Sequence, residues 1–376
     1  MHRYDVIVIG LGAMGGAAAY HCAKRGARVL GLDANAQHHT LGSSHGVTRA
    51  FRETYFESPN YVPLAQRSYE LWRELEAAAE VPLLSLSGAI YVAPAQHPLL
   101  GGVRLAAEQH GLEIENLTQD EMTARFAGFV LPEGWEGVFE ARGGVLQAED
   151  CLRAHTDLAR RHGAELRFNC PARSWRQTVA GGIEVGLDTG TVGADAVILT
   201  LGPWACEGLR DLSLPLSGRR IPVVHFEPAR PALYDPTAFS VYFWATPGGI
   251  FAGFPHFDGE GIKIMRHDAG DVCTPDTVRR EVTQADIREL AAFADNYMPH
   301  ANGGVRKSLV CLYTMTPDHH FVIDRHPGYR SLAYAAGFSG HGFKFAPVVG
   351  EILADLVLAN RTAQPIAFLS ASRFSK

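Results

Sequence analysis

A cysteine near the C-terminal end of the sequence, Cys311, lies between an apolar run and a polar turn that contains Pro317 and Asp318. A cysteine in this position can be a buried structural residue, or it can carry out chemistry as a thiolate nucleophile. The other cysteines are scattered and form no CxxC pair, so their spacing indicates neither a zinc site nor a disulfide framework. Residues elsewhere in the chain are needed to choose between the two interpretations.

Three basic residues, His45, Arg49 and Arg52, follow one another at spacings of four and three. If a helix begins near His45, all three side chains share one face. Such a group could hold an anion, because the planar guanidinium of arginine can bind both oxygens of a carboxylate. The alternative is a solvated helix face on which these residues pair with Glu53 and Glu57.

Two lysines occupy positions where a positive charge could act. Lys263 is flanked by Ile262 and Ile264, so strand alternation places it on the face opposite the isoleucines. A lysine on an inner face over a cofactor is costly to bury unless its charge is used, and an outer face is the alternative. Lys344 lies in GFSGHGFKF, between a predicted strand and a predicted helix, where backbone N–H groups and the helix dipole can stabilise negative charge. A glycine turn with a surface lysine is the alternative there.

The elements that must position these residues are clearest at the N-terminus. An apolar strand over Asp5–Ile9 leads into a GxGxxG motif and a predicted helix over Ala13–Lys24. The motif glycines are Gly10, Gly12 and Gly15. Asp33 follows the next strand, about twenty residues after the glycines, where its carboxylate can accept hydrogen bonds from a ribose. The segment predicts dinucleotide binding and does not separate NAD from FAD.

Helical periodicity and buried-strand patterns alternate along the rest of the chain. Predicted helices cover 61–79, 118–126, 149–162, 284–297 and 346–358, and predicted strands cover 194–201 and 331–336. Two long stretches are mostly short of helical periodicity and rich in Phe, Tyr, Gly and Pro. We therefore predict an α/β fold with two interleaved domains. They are a Rossmann-type dinucleotide-binding domain from residues 1–85, 145–215 and 321–376, and an antiparallel-sheet domain from residues 86–144 and 216–320.

Composition limits the class of protein. The formal net charge is −6 without a long basic run, which argues against nucleic acid as a partner. No apolar stretch approaches the roughly 20 residues of a membrane span, and no secretory signal is evident, so a cytoplasmic protein is expected. The pairs His38-His39 and His319-His320 lack metal spacing in their context, and no metal is expected.

Several segments together resemble the family of monomeric sarcosine oxidase and N-methyltryptophan oxidase, which are flavin-dependent amine oxidases. The segments are GLGAMG, GSSHGVTR with Arg52 after it, the run from GFP to Lys263 and His267, CLYTMTPDHHFVID, and GFSGHGFKF. The resemblance spans nearly the whole chain. It implies a FAD domain built from separated segments, an inserted substrate domain with a large antiparallel sheet, and a covalent thioether between FAD and Cys311. The resemblance thus favours a cysteine that carries out chemistry.

The resemblance also implies roles for the charged residues. Arg52 and Lys344 would clamp the carboxylate of the substrate. Lys263 would lie beside the reactive edge of the flavin and promote reduction of O2, because a fixed cation there stabilises developing negative charge. His267 would lie near the substrate amine.

Other positions are implied to lie around the flavin ring. His45 and Arg49 would lie near it and support its attachment. The further cofactor contacts implied are Ser43, Thr48, Tyr313, Gly342 and Lys344. Two pocket residues depart from the family's pattern, since Ala252 and Phe243 stand where sarcosine oxidase has a tyrosine and a methionine. We therefore predict an N-methyl or cyclic secondary amino acid other than, or broader than, sarcosine as the substrate.

The implied reaction is oxidation of a C–N bond, with O2 leaving as H2O2 and an N-methyl group leaving as formaldehyde. The expected partners are a small amino acid and O2, and the expected state is a monomer. An NAD-dependent dehydrogenase is one alternative, but it leaves Cys311 and the turn at Lys344 without a purpose. A flavoprotein dehydrogenase that passes electrons to a partner is a second alternative, against which Lys263 argues. A non-catalytic nucleotide-binding module is a third.

Overall fold

The computed structural model describes residues 3–179 and 181–374. Its helices are α1 (Ala13–Lys24), α2 (Val62–Ala79), α3 (Pro98–His110), α4 (Gln119–Arg125), α5 (Ala148–Arg161), α6 (Ala205–Gly208), α7 (Gln284–Tyr297) and α8 (Ala346–Leu358). The strands in the first half of the chain are β1 (Arg3–Ile9), β2 (Val29–Leu32), β3 (Thr48–Phe51), β4 (Leu84–Ser85), β5 (Ala89–Pro94), β6 (Glu115–Leu117), β7 (Trp135–Glu140), β8 (Gly144–Gln147), β9 (Glu165–Arg167) and β10 (Ala172–Gln177). Those in the second half are β11 (Ile183–Leu187), β12 (Gly190–Leu199), β13 (Ser217–Phe226), β14 (Val241–Thr246), β15 (Gly249–Phe254), β16 (Ile262–Arg266), β17 (Asp271–Cys273), β18 (Val305–Met315), β19 (Val322–Arg325) and β20 (Leu332–Ala336).

Most of the predicted elements are confirmed. Helices α1, α7 and α8 have the predicted bounds. Thr118 caps α4 in a capping box, because its hydroxyl accepts from the N–H of Glu121 while the Glu121 carboxylate accepts from the N–H of Thr118. The strand predicted over 194–201 begins earlier, at Gly190, because β12 opens with an antiparallel pairing to β11.

An eight-stranded sheet carries the glycine-rich turn. Its order is β10-β11-β12-β1-β2-β9, with β20 beside β12 and β19 beside β20. Strand β1 is parallel to both β2 and β12. Val6 and Val8 pack into a core with helices α1, α5 and α8, whereas Ile7 and Ile9 pack into a second core on the other face. Burial on both faces explains why β1 is a continuous apolar run.

A nine-stranded, mainly antiparallel sheet carries most of the candidate site. Its order is β17-β13-β16-β15-β14-β5-β7-β6, with β18 beside β13. Side chains line up across neighbouring strands in rows. The first row holds Phe243, Ala252, Met265 and Val223. The second row holds Phe254, Lys263, His225 and Lys307.

In the described part of the chain, no helix forms near His45, so the condition under which the three basic side chains would share one helix face is not met. Gly46 has φ +98°, a left-handed conformation that interrupts a helix. The following residues, Thr48–Phe51, form β3 and pair with β8 in a three-stranded sheet completed by β4. Thr48 and Phe51 suit a strand, and the long-range pairing with β8 overrides the helical spacing of the basic residues.

The predicted division into domains remains a prediction. The eight-stranded sheet takes its strands from residues 3–32, 165–199 and 322–336, and the nine-stranded sheet takes its strands from 89–140 and 217–315. Within the ranges described, no helix is long and apolar enough to cross a membrane.

Candidate active site

The glycine-rich turn is shaped by close packing. A Cβ atom on Gly15 would lie 1.7 Å from the carbonyl oxygen of Gly10, and a Cβ atom on Gly10 would lie 2.4 Å from the carbonyl oxygen of Thr200. Gly10 also has φ +90°. Only glycine satisfies these constraints, which bring β1, α1 and the end of β12 together.

The N-terminus of α1 is open to an anion. Its N-cap residue is Gly12, which has no side chain to cap it, and its first turn contains no acidic residue. The Ser44 hydroxyl oxygen accepts from the N–H of Ala13 (3.1 Å). The Asp33 carboxylate accepts hydrogen bonds from the N–H groups of Leu11 (2.8 Å) and Asn35 (2.9 Å). Asp33 therefore fixes the loop that follows β1, and it also lines the cavity described next. The arrangement has the donors and the acid expected of a dinucleotide site.

An elongated cavity of about 980 Å³ runs from this turn to the face of the nine-stranded sheet. Its volume is at the upper end of the roughly 300–1,000 Å³ typical of small-molecule and cofactor sites. The predicted site residues that line it are Gly10, Gly12, Asp33, Ser43, His45, Arg49, Arg52, Phe243, Ala252, Lys263, His267, Cys311, Tyr313, Gly342 and Lys344. Gly15 and Thr48 are the exceptions, since Gly15 packs against Gly10 and Thr48 contacts Lys263. Residues distant in sequence thus meet around one space.

Lys263 lies on the inner face of the sheet, and the alternative of an outer, solvated lysine is wrong. The residue is 5% exposed. Its Nζ donates to the carbonyl oxygen of Thr48 (2.8 Å) and lies 4.2 Å from the centre of the Phe254 ring. Both contacts favour the charged ammonium. Burial, followed by the charge of Arg49, opposes them and holds the pKa of Lys263 well below its usual value.

Cys311 is buried on β18, with its Sγ 4.0 Å from the carbonyl oxygen of Ser43. Among the described residues, it is the cysteine that lines the cavity. Cys22 and Cys151 instead lie in the core around α1 and α5, where burial raises their thiol pKa values. Cys311 is therefore the thiol placed to reach a molecule in the cavity.

His45 and Arg49 shape the loop opposite Cys311. Arg49 donates to the carbonyl oxygens of Thr48 (2.9 Å), Ser43 (3.0 Å) and His45 (2.5 Å). Its guanidinium therefore links three carbonyl groups of this loop. His45 bonds to the backbone of Val310, the residue before Cys311, and its Nε2 is buried without a partner. Burial, and then Arg49, lower the pKa of His45 to about 4. The site thus presents a neutral imidazole near Cys311.

Arg52 and Lys344 are two buried basic residues in the cavity lining, which we call the cationic pair. Burial, followed by the charge of Arg52, holds the pKa of Lys344 well below its usual value, whereas the charges of Glu57 and Glu140 favour its protonated form. Arg52 is fully buried, and its Nη2 donates to both carboxylate oxygens of Glu57. The pairing with Glu57 was one of the alternatives, but it occurs in the interior rather than on a solvated helix face. The Nε of Arg52 is buried and has no hydrogen-bond partner in the part of the chain that the structure describes. The Nζ of Lys344 donates to the carbonyl oxygen of His341 (2.7 Å) and to the hydroxyl of Tyr55 (3.1 Å).

Glu57 is held as an anion by this pair. Burial, the largest single effect, would raise its pKa, but the charge and hydrogen bonds of Arg52, together with the charges of His341 and Lys344, outweigh burial and lower the pKa to about 2. The guanidinium of Arg52 also stacks on aromatic rings, with its carbon 3.8 Å from the centre of Tyr55 and 4.9 Å from that of Phe243. The carboxylate of Glu57 and the rings of Tyr55 and Phe243 therefore hold the guanidinium of Arg52 in position.

His267 and Tyr313 both line the cavity and contact each other. The Nδ1 of His267 and the hydroxyl of Tyr313 share a hydrogen bond of 3.2 Å. Burial lowers the pKa of His267 to about 4, so the imidazole is neutral at neutral pH. Gly340 packs on the ring of Tyr313, where a Cβ atom would lie 2.3 Å away. This contact explains one glycine of the GFSGHGFKF turn.

Sequence reasoning missed four residues around the cationic pair. They are Thr54, Tyr55, Tyr91 and Glu140, which bond to one another or to the pair. Glu140 and Tyr91 come from strands far from Arg52 in sequence, so no local spacing points to them. The FRETYFE segment offers a weak signal, since its acidic residues follow a candidate anion-binding arginine.

Comparison with known proteins gives consistent matches over the whole chain. Residues 5–356 match the FAD dependent oxidoreductase family. The chain is 38% identical over 376 residues to the monomeric sarcosine oxidase of Bacillus sp. (strain B-0618), covering 99% of this chain and 96% of that protein. It is 33% identical over 377 residues to the N-methyl-L-tryptophan oxidase of Salmonella arizonae (strain ATCC BAA-731 / CDC346-86 / RSK2980), covering 100% of both.

A solved structure shows a similar fold. The open form of NikD, an unusual amino acid oxidase essential for nikkomycin biosynthesis, aligns with a TM-score of 0.85 and 26% identity over 98% of each chain. The resemblance inferred from the motifs is confirmed by these matches. The chain belongs to the FAD dependent oxidoreductase family, within the group that includes the monomeric sarcosine oxidases and the N-methyl-L-tryptophan oxidases.

Proposed function

We propose that the protein is a flavin-dependent oxidase of a secondary amino acid, with an N-methyl amino acid as the simplest substrate. The observation that carries this proposal is the cationic pair of Arg52 and Lys344, buried in the lining of a dinucleotide-sized cavity. The unpartnered Nε of Arg52 is a donor that needs an acceptor, and a substrate carboxylate can supply one. The similarity to enzymes named for N-methyl amino acids supports the same class.

The residues around the cavity fit FAD. The open N-terminus of α1 suits a pyrophosphate and Asp33 suits a ribose. When bound, the flavin supplies a two-electron acceptor for the carbon–hydrogen bond next to the amine. We assign the covalent attachment to Cys311, since it is the thiol in the cavity lining and His45 lies against the same strand.

The chain's own residues then hold and orient the amine. Arg52 and Lys344 fix the carboxylate, which sets the position of the carbon–nitrogen bond. His267 is neutral and hydrogen-bonded to Tyr313, so it can orient the amine without repelling it. The overall balance is an N-methyl amino acid, O2 and H2O giving the primary amino acid, formaldehyde and H2O2. Lys263 supplies positive charge where O2 gains electrons.

One observation favours a second candidate, a flavoprotein dehydrogenase that passes its electrons to a partner. Burial and Arg49 lower the pKa of Lys263, and a neutral amine would promote the reaction with O2 less than a cation. The Thr48 carbonyl and the Phe254 ring act in the opposite direction. Direct reoxidation by O2 separates the two candidates.

The substrate side chain should be larger than hydrogen. Ala252 lies between Phe243 and Met265 in the first row, and its small side chain lines the cavity, where a bulky residue would take up space. The test is O2 consumption with sarcosine, N-methyl-L-tryptophan and L-proline. We expect turnover of at least one larger substrate to exceed that of sarcosine. A strong exclusive preference for sarcosine would contradict the assignment of the side-chain pocket.

We also infer that the protein acts as a monomer in a reducing compartment such as the cytoplasm. Its cysteines are free thiols, which suits a reducing environment. A relative that covers nearly the whole chain is named a monomeric enzyme.

A further inference from the structure

Glu140, the last residue of β7, is a buried carboxylate surrounded by donors. It is 2% exposed. It accepts from the N–H of Glu53 (2.6 Å), the N–H of Thr54 (3.3 Å), the hydroxyl of Thr54 and the hydroxyl of Tyr91 (3.1 Å). The Oε1 atom accepts the first of these hydrogen bonds, and the other three donors approach the Oε2 atom. Burial raises the pKa of Glu140, but the hydrogen bonds from Thr54, Glu53 and Tyr91 favour its ionised form.

Two routes lead from this carboxylate to Arg52. In the first, Glu140 holds Thr54, and the carbonyl oxygen of Thr54 accepts from the Nη1 of Arg52 at 3.0 Å. In the second, Glu140 holds Tyr91, whose ring stacks on Phe243 with centres 5.6 Å apart. The Phe243 ring in turn lies 4.9 Å from the guanidinium carbon of Arg52. One end of the guanidinium and one of its stacking partners are therefore both set by groups bonded to Glu140.

Glu140 does not touch the cavity itself, since neither it nor Thr54 nor Tyr91 lines it. The neighbouring carboxylate of Glu53 lies 3.0 Å from Arg142, an exposed arginine, so it has its own cation. Among the described residues, no cation forms an ion pair with Glu140, which is stabilised by hydrogen bonds instead. This makes it a supporting anion placed behind the segment that carries Arg52.

We propose that Glu140 is a positioning residue for the carboxylate clamp, acting through Thr54 and Tyr91 to hold Arg52 while Arg52 binds the substrate carboxylate. The inference rests on the proposed function, because it needs Arg52 to bind that carboxylate. Glu57 already occupies the Nη2 of Arg52. The guanidinium must therefore keep its position while a second anion approaches. Its hydrogen bond to the Thr54 carbonyl and its contact with the Phe243 ring restrain it.

The test uses the flavin-loaded enzyme and propionate, a carboxylate without an amine, as the probe. Its dissociation constant is read from the change in the visible flavin spectrum. In Glu140→Gln the amide keeps the shape but replaces an acceptor oxygen by a donor. We expect propionate binding to weaken roughly tenfold, the KM for substrate to rise by a similar factor, and kcat to stay within about twofold. Glu136→Gln, on the same strand but half-exposed and paired with Arg104, should change none of these.

Two milder variants remove single donors if Glu140→Gln does not fold. Thr54→Val and Tyr91→Phe should each weaken propionate binding a few-fold. Unchanged propionate binding in these variants, or in a folded Glu140→Gln, overturns the role of Glu140. A weakening accompanied by an altered flavin spectrum without ligand also overturns it, because that result indicates general loosening of the site.

A separate pair of variants tests the proposed function underneath. Arg52→Gln and Lys344→Gln should abolish propionate binding at the concentrations used. If they bind propionate normally, the carboxylate clamp itself is wrong. If they lose binding while the Glu140 variant keeps it, only the inference about Glu140 fails.

Discussion

The amino group of Lys263 is buried, and few contacts offset the free-energy cost of burying its charge. One carbonyl oxygen and one aromatic face contact its Nζ, and no carboxylate forms an ion pair with it in the part of the chain that the structure describes. Such a lysine is retained at a cost, so a role for its charge is the simplest explanation. We propose that this role is in the reaction with O2, since Lys263 lies on the cavity wall, in the row next to Ala252 and Met265.

Replacing Lys263 by methionine should slow the reaction with O2. Methionine fills similar space without charge, and loss of one stabilising group of this kind costs roughly 10²–10³-fold in rate. We expect anaerobic flavin reduction by substrate to change far less than reoxidation by O2, with both rates measured by stopped-flow absorbance. Lys307→Met is the matched control, since Lys307 lies in the same row but at the protein surface. Reoxidation at the normal rate would remove the role of Lys263.

Cys311 should hold the flavin covalently. In the intact protein, acid precipitation should leave the yellow chromophore in the pellet, and in Cys311→Ser it should move to the supernatant. Cys273→Ser is the control, because Cys273 lies on a different strand and outside the cavity lining. Release of flavin from the unaltered protein would leave FAD binding intact and would remove the covalent role of Cys311.

At the scale of elements, the nine-stranded sheet acts as a wall whose rows assign positions. Alternation along β16 places Lys263 and Met265 on the cavity face, and pairing with β15 sets Ala252 opposite Met265. The residues that set charge and the residues that set shape thus occupy adjacent rows. The strand register sets which row each of these residues occupies.

Enlarging the side chain at Ala252 should change the choice of substrate. In Ala252→Tyr, the new ring occupies the space between Phe243 and Met265, so bulky amino acids should lose kcat/KM relative to sarcosine. We expect a shift of roughly tenfold or more in the ratio of the two kcat/KM values, which is ordinary for steric exclusion. Ala252→Gly should show no such loss. An unchanged ratio in the tyrosine variant would mean that the side chain binds elsewhere.

The sequence anticipated elements better than contacts. The glycine fingerprint and helices α1, α7 and α8 depend on local periodicity and could be predicted from it. The loop at His45 could not, because its path is set by pairing of β3 with the distant β8. Lys263 could be placed on a strand but not on a face, since which face is buried depends on what the sheet packs against. Glu140 could not be found at all, because its partners come from segments about 50 and 90 residues away.

At the scale of the whole molecule, burial of histidines links stability to pH. Burial lowers the pKa values of His45 and His267 to about 4 and those of His155, His225 and His341 to about 3. In the unfolded chain these side chains bind protons near pH 6.5. Below that pH, the unfolded state therefore binds more protons than the folded state, and the free energy of unfolding falls as the pH is lowered.

We expect the midpoint of urea unfolding to decrease steadily from about pH 6.5 to about pH 5, with each histidine contributing up to about 1.4 kcal/mol per pH unit. Glu53 and Glu140 act in the opposite direction, since burial raises their pKa values, that of Glu53 to about 7, but they are two groups against five. His155→Asn should make the decrease shallower, because it removes one histidine whose pKa is lowered by burial in the folded state. His155 also lies outside the cavity lining, so the substitution leaves the site residues in place. Stability that is constant or rises over this range would contradict the burial of neutral histidines.

The most direct test of the proposed oxidase uses the flavin-loaded protein in two steps. It is first mixed with N-methyl-L-tryptophan or sarcosine without O2, and then O2 is admitted. We expect the visible flavin absorbance to disappear in the first step. It should return fully in the second step, with one equivalent of H2O2 formed per flavin. A flavin that is reduced by the amino acid but stays reduced under O2 would contradict the oxidase and indicate a dehydrogenase. A flavin that no secondary amino acid reduces would contradict the substrate class itself.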